Sequence, residues 1–197
     1  MSKELEIEFK NMLTNDEFIA LKEAFQLTDE KFHTQANHYF DTPDFALRHQ
    51  KCGLRIREVA ERFECTLKEP ASGIGLIETT DLLAEAHVRA VLAGEATIDA
   101  PEVHERLAHR GVVEQNLQLL GTLSTTRAEI SYKGGLLVLD HSLYADTEDY
   151  ELEYEVTDEA TGHVIFVELL KEYGIATRPA QKKVARFVAA MNRKRGI

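Results

Sequence analysis

The chain opens on a strict alternation of charged and apolar residues, Glu6-Ile7-Glu8-Phe9-Lys10. Successive side chains of a strand point to opposite faces. Residues 3–11 are therefore predicted to form a strand with Glu6, Glu8 and Lys10 on one face and Ile7 and Phe9 on the other. Thr14-Asn15-Asp16-Glu17 reads as a capping box, and Phe18, Leu21 and Phe25 follow at helical spacing, which predicts an amphipathic helix over 15–27. Further strands are predicted over 34–41, 52–59, 62–68 and 74–80, and the short polar link between 59 and 62 suggests a hairpin. Phe45-Ala46-Leu47, after the turn begun at Thr42-Pro43-Asp44, reads as one helical turn. Helices are expected over 81–93 and from Pro101, a first-turn proline, to about Gly111. Three more strands follow at 123–132, 136–143 and 149–157, the first two joined at Gly134-Gly135, and closing helices at 159–173 and 180–194.

That makes eight strands with a helical insertion at about 81–120 and no repeat, low-complexity tract or linker. The expected fold is α+β in a single domain, 1–197. Eight antiparallel strands can close into a barrel, which removes exposed edges.

The same period of two, applied to the later strands, gives each a charged face backed by an apolar one. Arg55 and Arg57 share a face, as do Glu64, Thr66 and Lys68, and as do Arg127, Glu129 and Ser131. Asp140 lies opposite its neighbouring leucines, and Glu151, Glu153 and Glu155 lie opposite Tyr150, Leu152 and Tyr154. A sheet with one solvated side would produce such a pattern. Two details point elsewhere. Basic residues cluster on some strands and carboxylates on others, and arginine, the better bidentate phosphate ligand, recurs where a solvated face would carry lysine. An interior lined in this way needs water, metals or an anion to satisfy it.

Composition narrows the classes. A chain of 197 residues with 44% hydrophobic and 29% charged residues can bury a substantial core and is globular rather than disordered. The net charge of −11 argues against a general nucleic-acid surface or an anionic membrane surface, though not against an anionic ligand that arrives with metal ions. Cys52 and Cys65 lack metal-ligand spacing and read as reduced thiols of a cytoplasmic protein. No apolar stretch resembles a signal peptide or spans a bilayer. The eight histidines show no HExxH pattern, no Ser-His-Asp set is laid out, and Gly73-Ile74-Gly75 is too short for a phosphate loop.

Taken in order, these positions resemble the CYTH superfamily, the triphosphate tunnel metalloenzymes, and the layout is similar to its Bacillus YjbK-type branch. Glu6, Glu8 and Lys10 match the hallmark Glu-x-Glu-x-Lys, and Arg55 and Arg57 match a paired basic strand. Leu67-Lys68, Glu78, Arg127, Asp140, Glu151 with Glu153, and Lys183 on the last helix follow in family order. Thr125 stands where many members carry a further lysine.

The resemblance implies an eight-stranded antiparallel tunnel with flanking helices, holding a triphosphate with Mg2+ or Mn2+. It implies Glu6, Glu8, Asp140, Glu151 and Glu153 as metal ligands, and Lys10, Arg55, Arg57, Lys68, Arg127 and Lys183 as phosphate ligands, with Lys10 and Glu153 catalytic. The implied activity is metal-dependent hydrolysis of inorganic triphosphate or of a small organic triphosphate such as thiamine or nucleoside triphosphate. Adenylate cyclisation of ATP, or non-catalytic binding of polyphosphate or a nucleotide, are the alternatives. The expected partner is the small-molecule substrate, with no membrane and no nucleic acid beyond 5′-triphosphate ends, in a cytoplasmic monomer or homodimer. The chemistry is coherent: fixed cations replace the water that screens a polyanion, and carboxylates tolerate that polyanion only with a hard cation between them.

Overall fold

A computed structural model describes residues 2–195, with side chains from Leu5 to Lys194; Met1 and residues 196–197 of the expected domain lie outside the described residues. In chain order the elements are β1 (Ser2–Leu13), α1 (Asn15–Ala24), β2 (His33–Asp41), α2 (Ala46–His49), β3 (Gly53–Val59), β4 (Arg62–Pro70) and β5 (Leu76–Leu83). They continue with α3 (Glu85–Leu92), α4 (Pro101–His109), β6 (Gln118–Tyr132), β7 (Gly135–Tyr144), β8 (Thr147–Val156), α5 (Glu159–Glu172) and α6 (Lys183–Arg195). The strands form a closed antiparallel barrel in the order β1-β5-β4-β3-β2-β6-β7-β8. The chain divides into two compact units, one built from 35–123 with the start of β1, the other from 6–34 and the chain from 124 onward.

In the first unit β2, β3, β4 and β5 pair in sequence, with Arg57 opposite both Asn37 and Glu64, and Lys68 opposite Glu78. Alternation sends Leu54, Ile56, Phe63, Cys65 and Leu67 to one face, where they pack on Val88 and Val91 of α3 and Val103 and Leu107 of α4. Residues 81–83, expected to open a helix, continue β5, because Asp81 and Leu83 still pair with Cys65 and Phe63 on β4. The Asp81 carboxylate then accepts from the Val103 amide in the first turn of α4, meeting a donor that the helix cannot satisfy itself. Cys52 and Cys65 are buried free thiols, and burial pushes the Cys65 thiol far above its ordinary pKa.

In the second unit β1 pairs with β8, β8 with β7 and β7 with β6. Leu137, Leu139, Leu152 and Tyr154 pack against Phe18 and Leu21 of α1 and Phe166, Leu169 and Leu170 of α5. The capping box forms as expected: the Glu17 amide donates to Thr14 Oγ1 (3.2 Å) and the Thr14 amide to Glu17 Oε2 (2.8 Å). The β6–β7 turn is built on Lys133 and Gly134, both with positive φ (42° and 85°), which matches the right-handed twist of a two-residue hairpin. Gly135 is needed for another reason: a Cβ there would come within 2.6 Å of the Glu155 carbonyl and of the Tyr154 ring.

α6 begins three residues later than expected. The segment ahead of it is tied to β1, with Pro179 bridged to Asn11 and the Met12 amide donating to the Arg178 carbonyl (3.0 Å). Asn11, 1% exposed, completes the tie through Oδ1 to the Arg178 amide (2.6 Å) and Nδ2 to the Ala176 carbonyl (3.0 Å). The Arg178 guanidinium also grips both oxygens of Glu17 at 2.7 and 3.0 Å.

Candidate active site

Helices α3 and α4 in the first unit and α1 and α5 in the second cover the apolar faces of the strands, so the charged residues occupy the opposite faces, onto which α6 brings Lys183 and Arg186. In the second unit these faces align across strands. Arg127 on β6 stands opposite Asp140 on β7, and Asp140 opposite Glu151 on β8. Lys10 and Glu8 on β1 stand opposite Glu153 and Glu155 on β8. Asp140 and Glu151 are fully buried, Glu153 is 3% exposed and Arg127 7%.

Glu153 is the hub. Its Oε1 lies 2.9 Å from Lys10 Nζ and 2.5 Å from Lys183 Nζ, and its Oε2 lies 2.8 Å from an Arg127 terminal nitrogen. Arg127 also forks onto Asp140, with Nε to Oδ1 at 2.8 Å and a terminal nitrogen to Oδ2 at 2.6 Å. Lys183, brought in by the first turn of α6, touches Asp140 Oδ2 and Glu151 Oε2 at 2.8 Å each as well as Glu153. Lys10 reaches Glu8 at 2.9 Å.

Burial opposes ionisation of Lys10, Arg127, Asp140, Glu153 and Lys183, but the opposite charges around them outweigh it. Lys10, Lys183 and Arg127 hold the Glu153 carboxyl well below its usual range, and Lys183 and Arg127 lower Asp140. In turn Glu153 and Glu8 raise Lys10, Asp140 and Glu153 raise Lys183, and the same two carboxylates raise Arg127. At neutral pH these five groups are fixed charges rather than a store of mobile protons.

The acids outnumber the cations. Among the described residues, the four cations Lys10, Arg127, Lys183 and Arg186 contact six carboxylates, those of Glu8, Glu129, Asp140, Asp149, Glu151 and Glu153. Two features mark places for a further cation. Ligand oxygens of Glu6, Glu8 and Glu155 lie within 4.8 Å of one another, and Glu151 Oε1 is buried without a hydrogen-bond partner. Hard oxygen ligands in this number suit a divalent cation of the magnesium class, so the residues present fit one.

In the first unit Arg55, Arg57 and Lys68 share the face away from α3 and α4. Arg57 Nε donates to Asn37 Oδ1 (3.1 Å), fixing the guanidinium plane. Lys68 pairs with Glu78 across the strands, and Arg62 with Glu64 at 2.7 Å. Arg55 Nε is buried with no hydrogen-bond partner. A buried arginine nitrogen left open in this way is a ready donor to an anion.

The resemblance read from sequence thus falls on two sets of side chains. One is Glu6, Glu8, Lys10, Arg127, Asp140, Glu151, Glu153 and Lys183 in the second unit; the other is Arg55, Arg57 and Lys68 in the first. Residue by residue, Glu6 and Glu8 meet Glu155, Asp140 and Glu153 meet Lys183 and Arg127, and Glu151 meets Lys183 and Arg186.

Comparison with known proteins decides the family. Residues 4–188 match the CYTH domain. The chain belongs to the CYTH family. It is 44% identical over 187 residues, 95% of its own length and 96% of the relative's, to the Bacillus subtilis protein named "Putative triphosphatase YjbK". A Bacillus halodurans crystal structure described as a "putative adenylate cyclase" superposes with a TM-score of 0.90 at 41% identity, covering 95% of this chain and 99% of that one. A Hippeastrum protein, described as a "putative adenylyl cyclase" that reveals a dominant triphosphatase activity, shares the fold with a TM-score of 0.79 at 23% identity, over 94% and 95% of the two chains. CYTH membership implies a divalent metal. No described helix is long and apolar enough to cross a membrane.

Four side chains of the site lie outside the ligand sets that the resemblance implies: Arg186 and Glu155 are read from sequence only as neighbours of those sets, and Asp149 and Asn37 are not read at all. Asp149 continues the Glu151–Glu153–Glu155 parity two residues upstream, and following that parity back finds it. Arg186 is three residues from Lys183, one helical turn along the same face. Glu155 follows from the β1–β8 register, which sequence alone does not supply. Asn37 lies in a run with no charge to mark it, and only its pairing with Arg57 reveals it.

Proposed function

We propose that this protein is a metal-dependent triphosphate hydrolase that binds inorganic triphosphate or a small organic triphosphate within its barrel, with Mg2+ or Mn2+, in the cytoplasm. The observation that carries the reading is the convergence of Lys10, Arg127 and Lys183 on the buried Glu153, in a cluster where carboxylates still outnumber cations.

Glu6, Glu8 and Glu155, with Glu151 through its unpartnered oxygen, and Asp140 and Glu153 beside them, are the proposed ligands of the divalent ion. When bound, that ion neutralises phosphoryl oxygens and acidifies a coordinated water. The chain's own residues do the rest. Arg55, Arg57 and Lys68 present donors to phosphate oxygens, Arg57 already oriented by Asn37. Lys10 and Lys183 stay protonated and act as fixed positive charge against charge developing on the transferred phosphoryl group. Glu153 holds no proton to donate at neutral pH; it aims the two ammonium groups and the Arg127 fork. Thr125, in the place of the family lysine, is 1% exposed and hydrogen-bonds Ser142 at 3.1 Å, so that position contributes no charge.

The test is a panel of tripolyphosphate, thiamine triphosphate, ATP, GTP and pyrophosphate with each metal, products identified by mass spectrometry. Orthophosphate released from a triphosphate supports the reading. Cyclic AMP with pyrophosphate from ATP selects a cyclase, and tight binding without turnover selects a binder.

A further inference from the structure

Glu151 is unusual among the acids of the cluster because its two oxygens are treated differently. Its Oε2 accepts from Arg186 at 2.7 Å and faces Lys183 Nζ at 2.8 Å. Its Oε1, equally buried, has no hydrogen-bond partner. A buried carboxylate oxygen is costly to leave bare, and two cations crowd one oxygen while none reaches the other. The asymmetry is built by a chain of side chains around Arg186. Arg186 Nε donates to Asp149 Oδ2 at 2.9 Å, and the nitrogen that holds Glu151 also contacts Asp149 Oδ1 at 3.4 Å. The remaining terminal nitrogen donates to the Gln181 carbonyl just ahead of α6. The same Asp149 Oδ2 also accepts from the Tyr144 hydroxyl, and the Tyr144 ring packs edge-on against Phe187 of α6, centroids 6.2 Å apart.

We infer that Arg186 is a positioning residue: by bridging Asp149 and Glu151 it locks the Glu151 carboxylate with one oxygen committed to the protein and the other held open for a divalent cation. The inference rests on the proposed reading of Glu151 as a metal ligand. The guanidinium presents different nitrogens to the two acids at a fixed angle, whereas an ammonium, even one that reaches several acids as Lys183 does, is a point charge that fixes no such angle. Groups that orient a ligand from behind commonly set metal affinity, and their loss costs about 10–100-fold.

The role separates cleanly from two duller ones. If Arg186 acted only through its charge, removing it would tighten cation binding, because a positive group beside the site would be gone. If it were only glue for α6, its loss would lower stability and leave the metal alone. The experiment is calorimetric titration of the folded full chain with Mn2+ and no triphosphate, on the parent protein and on Arg186→Lys, Arg186→Gln, Tyr144→Phe and Glu151→Gln, with thermal melting alongside. The expected result is about a 10-fold or greater loss of Mn2+ affinity in both Arg186 variants and a smaller loss in Tyr144→Phe, which keeps the ring on Phe187 and so guards against misfolding of the others. Unchanged affinity in Arg186→Lys together with tighter binding in Arg186→Gln overturns the inference, as does loss of melting temperature alone. Glu151→Gln separates the two levels. If it leaves Mn2+ binding unchanged, the metal reading of Glu151 fails and the positioning role falls with it; if it weakens binding while the Arg186 variants do not, only the positioning role falls.

Discussion

Lys183 Nζ lies 2.5 Å from Glu153 Oε1, joining the first turn of α6 to the middle of β8 across a separation of 30 residues. The contact makes the closing helix part of the charge lattice. Glu153 is buried among three cations, and removing its charge leaves Lys10, Lys183 and Arg127 to repel one another without their shared counter-ion.

Glu153→Gln is accordingly expected to lose about 3–5 kcal/mol of stability, the range for breaking a buried ion pair from one side. Triphosphate hydrolysis should fall about 100-fold or more as the aimed ammonium groups scatter. Urea unfolding and steady-state phosphate release measure the two effects. A double-mutant cycle with Lys183→Met should show a coupling of about 2 kcal/mol. Additive losses would mean that the contact carries no energy of its own.

Glu69, an acid outside this lattice, sets a pH dependence of stability. Glu69 on β4 is fully buried and receives Arg106 Nε at 2.8 Å and Arg110 Nε at 2.8 Å from α4. Burial opposes its charge, yet the two guanidinium groups hold its pKa below the ordinary 4.5. A carboxyl depressed in the folded state binds fewer protons there than in the unfolded chain, so stability rises with pH across the interval between the two pKa values. The Glu69 contribution is therefore complete above about pH 5 and is lost as the pH falls through its lowered folded value. Glu69→Gln should be less stable at pH 7 by about 3 kcal/mol, and its urea midpoint should vary less steeply between pH 5 and pH 3 than that of the parent. Parallel curves would remove Glu69 as a source of the acid lability.

Much of this was legible in the chain because strand periodicity is a geometric rule. Once Glu6 and Glu8 are placed on one face, Lys10 must join them, and the same logic groups Glu151 with Glu153. The Thr14–Glu17 capping box was equally legible, since both partners lie within one turn. What periodicity does not carry is which rung faces which. The Glu8–Glu155 register, the Asn37–Arg57 pairing and the extension of β5 through Asp81 all depend on the neighbouring strand. The tie of Asn11 to Ala176 and Arg178, which sets where α6 begins, is a long-range contact between residues that look unremarkable in sequence.

The two sets of charges make separable predictions. Glu8→Gln removes an oxygen ligand from the Glu6, Glu8 and Glu155 group, so Mn2+ affinity should drop about 10-fold or more, while metal-free binding of tripolyphosphate is retained. Arg57→Ala should do the reverse, weakening tripolyphosphate binding in chelator-treated protein by about 10-fold, the loss of one charge-assisted contact of about 1.5 kcal/mol, and leaving Mn2+ binding intact. Titration calorimetry with each ligand alone distinguishes them. Equal effects of both substitutions on both ligands would contradict the assignment of acids to metal and arginines to phosphate.

Asn11 supplies the last test, because it acts on the site only through the backbone. Its side-chain oxygen takes the Arg178 amide at 2.6 Å and its nitrogen serves the Ala176 carbonyl at 3.0 Å, fixing the segment from which α6 departs with Lys183 and Arg186. Asn11→Ala leaves the amide of the half-buried Arg178 and the carbonyl of the exposed Ala176 without their side-chain partner, at about 1 kcal/mol in stability. The Glu17–Arg178 grip remains, so the segment should loosen rather than detach. Hydrogen exchange at the α6 amides should accelerate while that of β6 and β7 stays at the parent rate, and hydrolysis should fall because Lys183 no longer reaches Glu153 in a single geometry. If α6 exchanges as slowly in Asn11→Ala as in the parent, the helix is held by its own packing, and the Asn11 clamp is not what delivers Lys183 to the cluster.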